Sequence, residues 1–192
     1  MKAGVLALQG DVREHLDIIG RGGCAAVPVR NASDLQAIDA LILPGGESTT
    51  IGSLLERHEM LDPLRKRIES GMPAFGTCAG AILLAREVLG GDVPRPGGMD
   101  LVVHRNAYGR QVDSFEEDVD VRGLGTVRGA FIRAPRIEQT GESVDVLAER
   151  HGRAVVVREG HLLAATFHPE ITGDDRLHRW FLEEICGPAG RA

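Results

Sequence analysis

Residues 74–85 read Ala74-Phe75-Gly76-Thr77-Cys78-Ala79-Gly80-Ala81-Ile82-Leu83-Leu84-Ala85. The end of an apolar strand meets a Gly-x-Cys-x-Gly turn, and an apolar helix follows. The pattern predicts that this helix runs through Arg86 and Glu87 and stops near Gly90-Gly91. Small residues beside the cysteine let the backbone turn tightly, so the side chain between them projects above the end of the strand. The free amides and dipole at the start of the helix favour thiolate, the reactive form of a cysteine. An isolated cysteine is most often a small buried hydrophobe, but the flanking glycines have no purpose in that role. Cys78 therefore reads as a nucleophile, with the backbone N–H of Ala79 facing a developing oxyanion. Cys24 and Cys186 lack such a setting and read as structural.

The flanking sequence places this turn in a larger pattern. Ala3–Leu8 is an apolar run ended by Gly10, and Val12–Gly20 carries Val12, Leu16 and Ile19 at helical spacing. Ala25–Val29 and Asp39–Leu43 read as buried strands, the second stopped by Pro44-Gly45-Gly46. Ser48–Glu56 and Asp62–Ser70 read as helices. Beyond Leu101 the pattern changes to short alternating stretches at Leu101–Val103, Gln111–Phe115, Val119–Val121, Val127–Ile132, Val144–Glu149, Ala154–Glu159 and Leu162–Thr166. A last helix, Asp174–Cys186, puts Leu177, Phe181 and Ile185 on one face. Strands alternating with helices, then mostly strands, then a closing helix predict an α/β fold of three layers. Its mostly parallel central sheet is flanked by helices and carries an antiparallel extension. Residues 1–187 are expected to form a single domain and 188–192 a tail.

Composition narrows the function. Of 192 residues, 43% are hydrophobic, enough for a core that needs neither disulfides nor a structural metal. Lys and Arg number 22 against 28 Asp and Glu, a net charge of -6 with no long run of one sign, which argues against a nucleic-acid partner. The first apolar stretch meets Gln9, Gly10 and Asp11 too early for a signal peptide or a membrane span. Three widely spaced cysteines fit a reducing compartment, with cytoplasm as the expectation. There is no His-x-x-x-His, no zinc-spaced Cys pair and no Asp-rich calcium loop, so neither metal nor cofactor is expected and hydrolysis would be covalent.

A thiolate nucleophile needs a base, and Thr166-Phe167-His168-Pro169-Glu170 supplies the best of seven histidines. His168 is expected to close a strand. Pro169 stops the ladder there, so that the carboxylate of Glu170, two residues on, orients the ring. His15, His58, His104, His151, His161 and His178 read as surface or capping residues. Leu43-Pro44-Gly45-Gly46-Glu47-Ser48 lacks the lysine and spacing of a phosphate loop, and reads better as the source of a second oxyanion donor, the N–H of Gly46.

These three motifs in this order resemble the class I (triad) glutamine amidotransferases, which implies a flavodoxin-like fold. Within that family the chain is most similar to the glutaminase subunits of pyridoxal 5'-phosphate synthases. The similarity is carried by GVLALQGDVREH from Gly4, LPGGESTT from Leu43, FGTCAG from Phe75, RNAYGRQVDSFE from Arg105, FIRAP from Phe131 and FHPE from Phe167. The resemblance implies Cys78 as nucleophile with His168 and Glu170 as relay. It also implies a glutamine site of Gly46, Glu47, Ser48, Arg105, Ile132 and Arg133, with positive and negative groups for the carboxylate and ammonium of the substrate and either pairing open. It further implies L-glutamine as substrate and, as partner, a barrel-shaped synthase subunit. That partner receives the ammonia through a channel, combines it with a pentose phosphate and a triose phosphate, and organises the oxyanion hole on docking. Other readings are a cysteine hydrolase of the same fold acting on peptides or γ-glutamyl compounds, and a non-catalytic binding module.

Overall fold

In a computed structural model describing residues 1–105 and 114–187, the apolar runs of the first half form parallel strands with two dry faces. They are β1 (Lys2–Leu6), β2 (Ala25–Val29), β3 (Ala40–Leu43) and β4 (Ala74–Thr77), side by side in the order β4-β3-β1-β2. Between them run α1 (Val12–Arg21), α2 (Ala32–Gln36), α3 (Ser48–Arg57) and α4 (Leu61–Glu69). Because successive side chains of a strand leave opposite faces, Leu41 and Leu43 pack with Ile51, Leu55, Leu64 and Ile68 of α3 and α4. Ala40 and Ile42 pack on the other side with Ile19 of α1 and with Leu177 and Phe181 from the end of the chain. Fully burying each such Leu or Ile contributes about 1.5–3 kcal/mol, and these two clusters are the cores between three layers.

α5 (Ala79–Leu84) is shorter than the sequence predicts. The chain becomes extended at Ala85 and forms β5 (Ala85–Leu89), which pairs in parallel with β6 (Met99–His104). Helix-forming Arg86 and Glu87 are thus overruled by strand pairing, a tertiary effect that propensity does not carry. β7 (Phe115–Val121) and β8 (Gly125–Phe131) form an antiparallel ribbon, and β9 (Arg136–Thr140), absent from the sequence reading, pairs with β6. β10 (Asp145–Arg150), β11 (Arg153–Glu159) and β12 (Leu162–Ala165) complete the main sheet.

β12 lies parallel to β4, and β11 and β10 continue outward antiparallel, giving seven strands in the order β10-β11-β12-β4-β3-β1-β2. The antiparallel extension of the main sheet is therefore only two strands. The mostly parallel sheet with its antiparallel extension is as expected, and the β5-β6-β9 sheet and the β7-β8 ribbon stand apart from it. The described residues close with α6 (Pro169–Thr172), α7 (Arg176–Trp180) and a π-helical turn, Phe181–Ile185, into which α7 runs without a break, so that the helix predicted over Asp174–Cys186 is present with its last turn widened. Most of the strand expected at Gln111–Phe115, and the tail 188–192, lie outside the described residues.

Candidate active site

The loops that follow β1, β3, β4 and β12 gather at the carboxyl ends of these parallel strands. β1 is flanked by β2 and β3, so the strand order reverses beside it, where open α/β sheets form their crevices. A cavity of about 340 Å³ opens there. Its walls include Gly46, Glu47, Ser48, Cys78, Ala79, Arg105, Ile132, Arg133 and His168, every predicted site residue except Glu170, which is buried behind His168. Residues 106–113, which carry most of the RNAYGRQVDSFE motif, lie outside the described residues.

Cys78 occupies the N-cap of α5 with φ 47° and ψ -101°, a left-handed conformation that a non-glycine residue adopts at a cost of about 1–3 kcal/mol. The elbow depends on its glycines. A Cβ on Gly76 would strike the backbone of Gly80, and one on Gly80 would strike the carbonyl of Leu43, so the helix start lies directly against β3 and β4. The Cys78 N–H donates to the Ala165 carbonyl at 2.8 Å, which ties the nucleophile turn to the end of β12. Its sulfur, almost buried, lies 3.8 Å from the Ile132 carbonyl. Arg133, next in the chain, also has a positive φ of 45°.

His168 does not end a strand as expected, because β12 stops at Ala165. Two residues outside the strand intervene before His168 bridges Ala130, exchanging backbone hydrogen bonds at 2.8 and 3.1 Å. His168 is then the N-cap of α6, with Pro169 in the first turn, where its missing N–H costs nothing. That turn returns the Glu170 carboxylate to the ring, with Oε1 2.7 Å from Nδ1. Asp11 Oδ2 lies 3.2 Å from the same nitrogen, which leaves Nε2 for Cys78. Burial disfavours a charged ring, but hydrogen bonds with Asp11, Cys78 and Glu170 outweigh it and push the His168 pKa up to about 12. Burial likewise holds Glu170 above the usual carboxylate range, against the pull of His168. Asp11, His168 and Glu170 bring three metal-capable atoms within 4.8 Å of one another, a convergence that the shared imidazole nitrogen explains.

The second loop is tied to the first. The Asp11 N–H donates to the Gly45 carbonyl at 3.2 Å and the Glu47 N–H donates to Gln9 Oε1 at 2.9 Å. The peptide is trans, so the Gly46 N–H points opposite to the Gly45 carbonyl and away from Asp11. A side chain on Gly45 would collide with the His168 ring, and Gly46 has φ 144°, so this approach requires both glycines. Glu47 caps α3 by accepting from the N–H groups of Thr49 and Thr50, at 3.2 and 2.7 Å. Although desolvation opposes it, these bonds hold the Glu47 carboxyl below its ordinary range. Arg105 Nη2 lies 3.2 Å from Glu47 Oε1. Both Glu47 oxygens are thus engaged by the helix start and Arg105, and among the described residues Arg133 is the other guanidinium lining the cavity.

Sequence reading missed Gln9, Asp11, Ile82 and Ile171 in the cavity wall, and it misassigned His15 and His178. The signal for the first two was position, since Gln9-Gly10-Asp11 directly follows a parallel strand. His15 and His178 are 0% and 1% exposed, and neither is a surface or capping residue.

A cysteine at a strand-to-helix elbow, a histidine beside it and a buried carboxylate on that histidine, all on a mostly parallel sheet, form the arrangement that the sequence resemblance implies for a glutamine amidotransferase. The chain belongs to the SNO glutamine amidotransferase family, which matches residues 5–187. It is 54% identical over 198 residues to pyridoxal 5'-phosphate synthase subunit PdxT of Nocardia farcinica, covering 98% of this chain and 88% of the relative. It is 56% identical over 182 residues to the protein of the same name from Thermus thermophilus, covering 94% and 95%. A crystal structure of a glutamine amidotransferase superposes with a TM-score of 0.91 at 54% identity, covering 95% of this chain and 98% of that one. At 15% identity, a glutamine amidotransferase from Thermotoga maritima superposes with a TM-score of 0.60 over 96% of this chain and 84% of its own, a likeness of fold alone.

Proposed function

We propose that this chain is the glutaminase subunit of a pyridoxal 5'-phosphate synthase. It hydrolyses L-glutamine to L-glutamate and ammonia and supplies the ammonia to a barrel-shaped synthase subunit. The observation that carries the chemistry is the meeting of Cys78 and His168 in the wall of a cavity bearing Arg105 and Arg133, with Glu170 behind the histidine. The Cys78 thiolate attacks the side-chain amide carbon, and the N–H groups of Ala79 and Gly46 receive the oxyanion. His168 gives its proton to the departing nitrogen, the carbon–nitrogen bond breaks, and a thioester remains. His168 then takes a proton from water as the water attacks, and glutamate leaves with Cys78 restored. Glu170 holds the ring in the orientation both steps require.

For the substrate, Arg105 and Arg133 offer cationic partners to the α-carboxylate. The capped and paired state of Glu47 favours a role for it in holding Arg105 over direct capture of the ammonium. Ser48 and Ile132 contribute walls. The Gly45 carbonyl bound to Asp11 supports a chain whose second oxyanion donor is organised by docking, since a flip of the Gly45–Gly46 peptide is cheap for glycine. The reading places the reaction in the cytoplasm, where the three cysteines stay reduced.

The test is glutamate release from glutamine by this chain with and without the synthase subunit, beside Cys78→Ala. Release stimulated by the partner and absent in Cys78→Ala is expected. Binding of the two proteins with no release in either condition overturns the glutaminase reading.

A further inference from the structure

Behind Glu170, on the side away from the cavity, the structure buries two histidines that the mechanism does not use. His15 comes from α1 and His178 from α7. His15 Nδ1 and His178 Nε2 are 2.8 Å apart. On its other side His15 Nε2 is 3.2 Å from Thr77 Oγ1 and 3.5 Å from Glu170 Oε1. Thr77 directly precedes the nucleophile, so His15 touches both arms of the triad at once. His178 is held in turn by the edge of the Phe75 ring, with centroids 5.3 Å apart and planes 70° apart.

The hydrogen-bond pattern orients the pair. Among the described residues His178 Nδ1 has no hydrogen-bond partner. A buried imidazole tolerates an unpaired lone pair better than an unpaired N–H, which puts the proton of neutral His178 on Nε2. His178 then donates to His15 Nδ1, so the proton of His15 is on Nε2, the nitrogen hydrogen-bonded to Thr77 Oγ1, with Glu170 Oε1 beside it at 3.5 Å. Burial and the neighbouring imidazoles push His15 well below the ordinary histidine range, and burial takes His178 down to about 3. Both rings are therefore neutral, and they bring a dipole to Glu170 without a positive charge that would repel the His168 imidazolium. The charged groups facing this pair are Glu170 from α6, His168 beside it and Asp174, which follows α6.

We propose that the His15–His178 pair is the positioning element of the triad, a donor chain that fixes the Glu170 carboxylate toward His168 and steadies the Thr77–Cys78 turn. Glu170 Oε1 is bracketed by two imidazoles, the working one at 2.7 Å and the structural one at 3.5 Å. Without the second, a carboxyl whose burial favours its neutral form keeps only the His168 ring and its own backbone as partners. The base then loses its orienting partner, and the thiolate loses the imidazolium that stabilises it.

This inference rests on the glutaminase reading, so the experiment pairs an activity measurement with one that needs no glutamine. In complex with the synthase subunit, kcat and KM are measured for wild type, His15→Leu, His15→Gln and His178→Leu. On the same proteins the rate of Cys78 alkylation by iodoacetamide is followed against pH, and thermal melting reports folding. His15→Leu is expected to lose about tenfold or more in kcat with KM within about twofold, the signature of a group that acts on the chemical step. Its alkylation profile is expected to move to higher pH by about one unit. His15→Gln, whose amide can stand where Nε2 stands, is expected to recover to within about threefold of wild type, and His178→Leu to lose about two- to fivefold.

A folded His15→Leu with wild-type kcat and alkylation profile overturns the proposal, as does His15→Gln no better than His15→Leu. If His15→Leu does not fold, His178→Leu decides, and unchanged kcat and profile there overturn it. If wild type releases no glutamate, the glutaminase reading fails, and the alkylation profiles alone decide the role of the pair.

Discussion

Asp11 and Glu170 aim carboxylate oxygens at one nitrogen, lying 3.2 and 2.7 Å from His168 Nδ1. They are not equivalent. The Glu170 side chain is fully buried, whereas that of Asp11 is 32% exposed in the cavity wall. Glu170 sets the ring, and Asp11 adds a charge that solvent, substrate or a docked partner can modulate.

Asp11→Asn is therefore expected to lower kcat by about three- to tenfold, because solvent screens a partly exposed charge, and Glu170→Gln by about a hundredfold. Steady-state kinetics on the complex check this, and equal losses in the two variants would contradict the division of roles.

Cys78 holds φ 47°, and glycine relieves that strain. Cys78→Gly is expected to abolish glutamate release while raising stability by about 1 kcal/mol, whereas Cys78→Ala keeps the strain and gains nothing. Urea melts of the two variants distinguish them, and a Cys78→Gly protein less stable than Cys78→Ala would contradict the strain argument.

The Glu47–Arg105 pair separates binding from chemistry. Arg105→Gln is expected to raise the KM for glutamine about tenfold with kcat nearly unchanged, since ground-state and transition-state binding are lost together. Glu47→Gln is expected to cost in addition about 0.5–2 kcal/mol of stability through the weakened cap of α3. A kcat effect larger than the KM effect in Arg105→Gln would place that guanidinium at the reacting amide.

Stability should depend on pH in both directions from near neutrality. His178 and His15 are depressed when folded, so between the unfolded pKa near 6.5 and about 3 the unfolded chain binds more protons and stability falls as pH falls. His168 is raised to about 12, so its contribution is present below about 6.5 and is lost as pH rises toward 12. Urea unfolding at a series of pH values should show a maximum near 6–7, and His178→Leu should flatten the acid side by up to about 1.4 kcal/mol per pH unit. An unchanged acid slope in that variant would mean that His178 does not titrate on unfolding.

Much of this site was legible because its parts are local. The Gly-x-Cys-x-Gly elbow, the Gly45-Gly46 turn and the His168–Glu170 turn are each short segments whose sterics are written in adjacent residues. What escaped is what depends on distant partners. Ala85–Leu89 has good helix formers, and only pairing with Met99–His104 makes it a strand. Arg136–Thr140 buries a single large apolar side chain, Ile137, too weak a period to read. His15 and His178 each look like polar residues on separate helices, and nothing in a one-dimensional pattern brings them to 2.8 Å. Asp11 was visible only as a member of a strand-end loop.

β12 occupies the middle of the main sheet, between β4 and β11, with Ala165 in register against Thr77. It is also the last of the described strands in chain order. A nascent or cleaved chain that ends before it therefore carries Cys78 with no base beside it, and leaves β4 as an unpaired apolar edge open to other chains. Chemical competence and protection of that edge thus depend on the same four-residue strand.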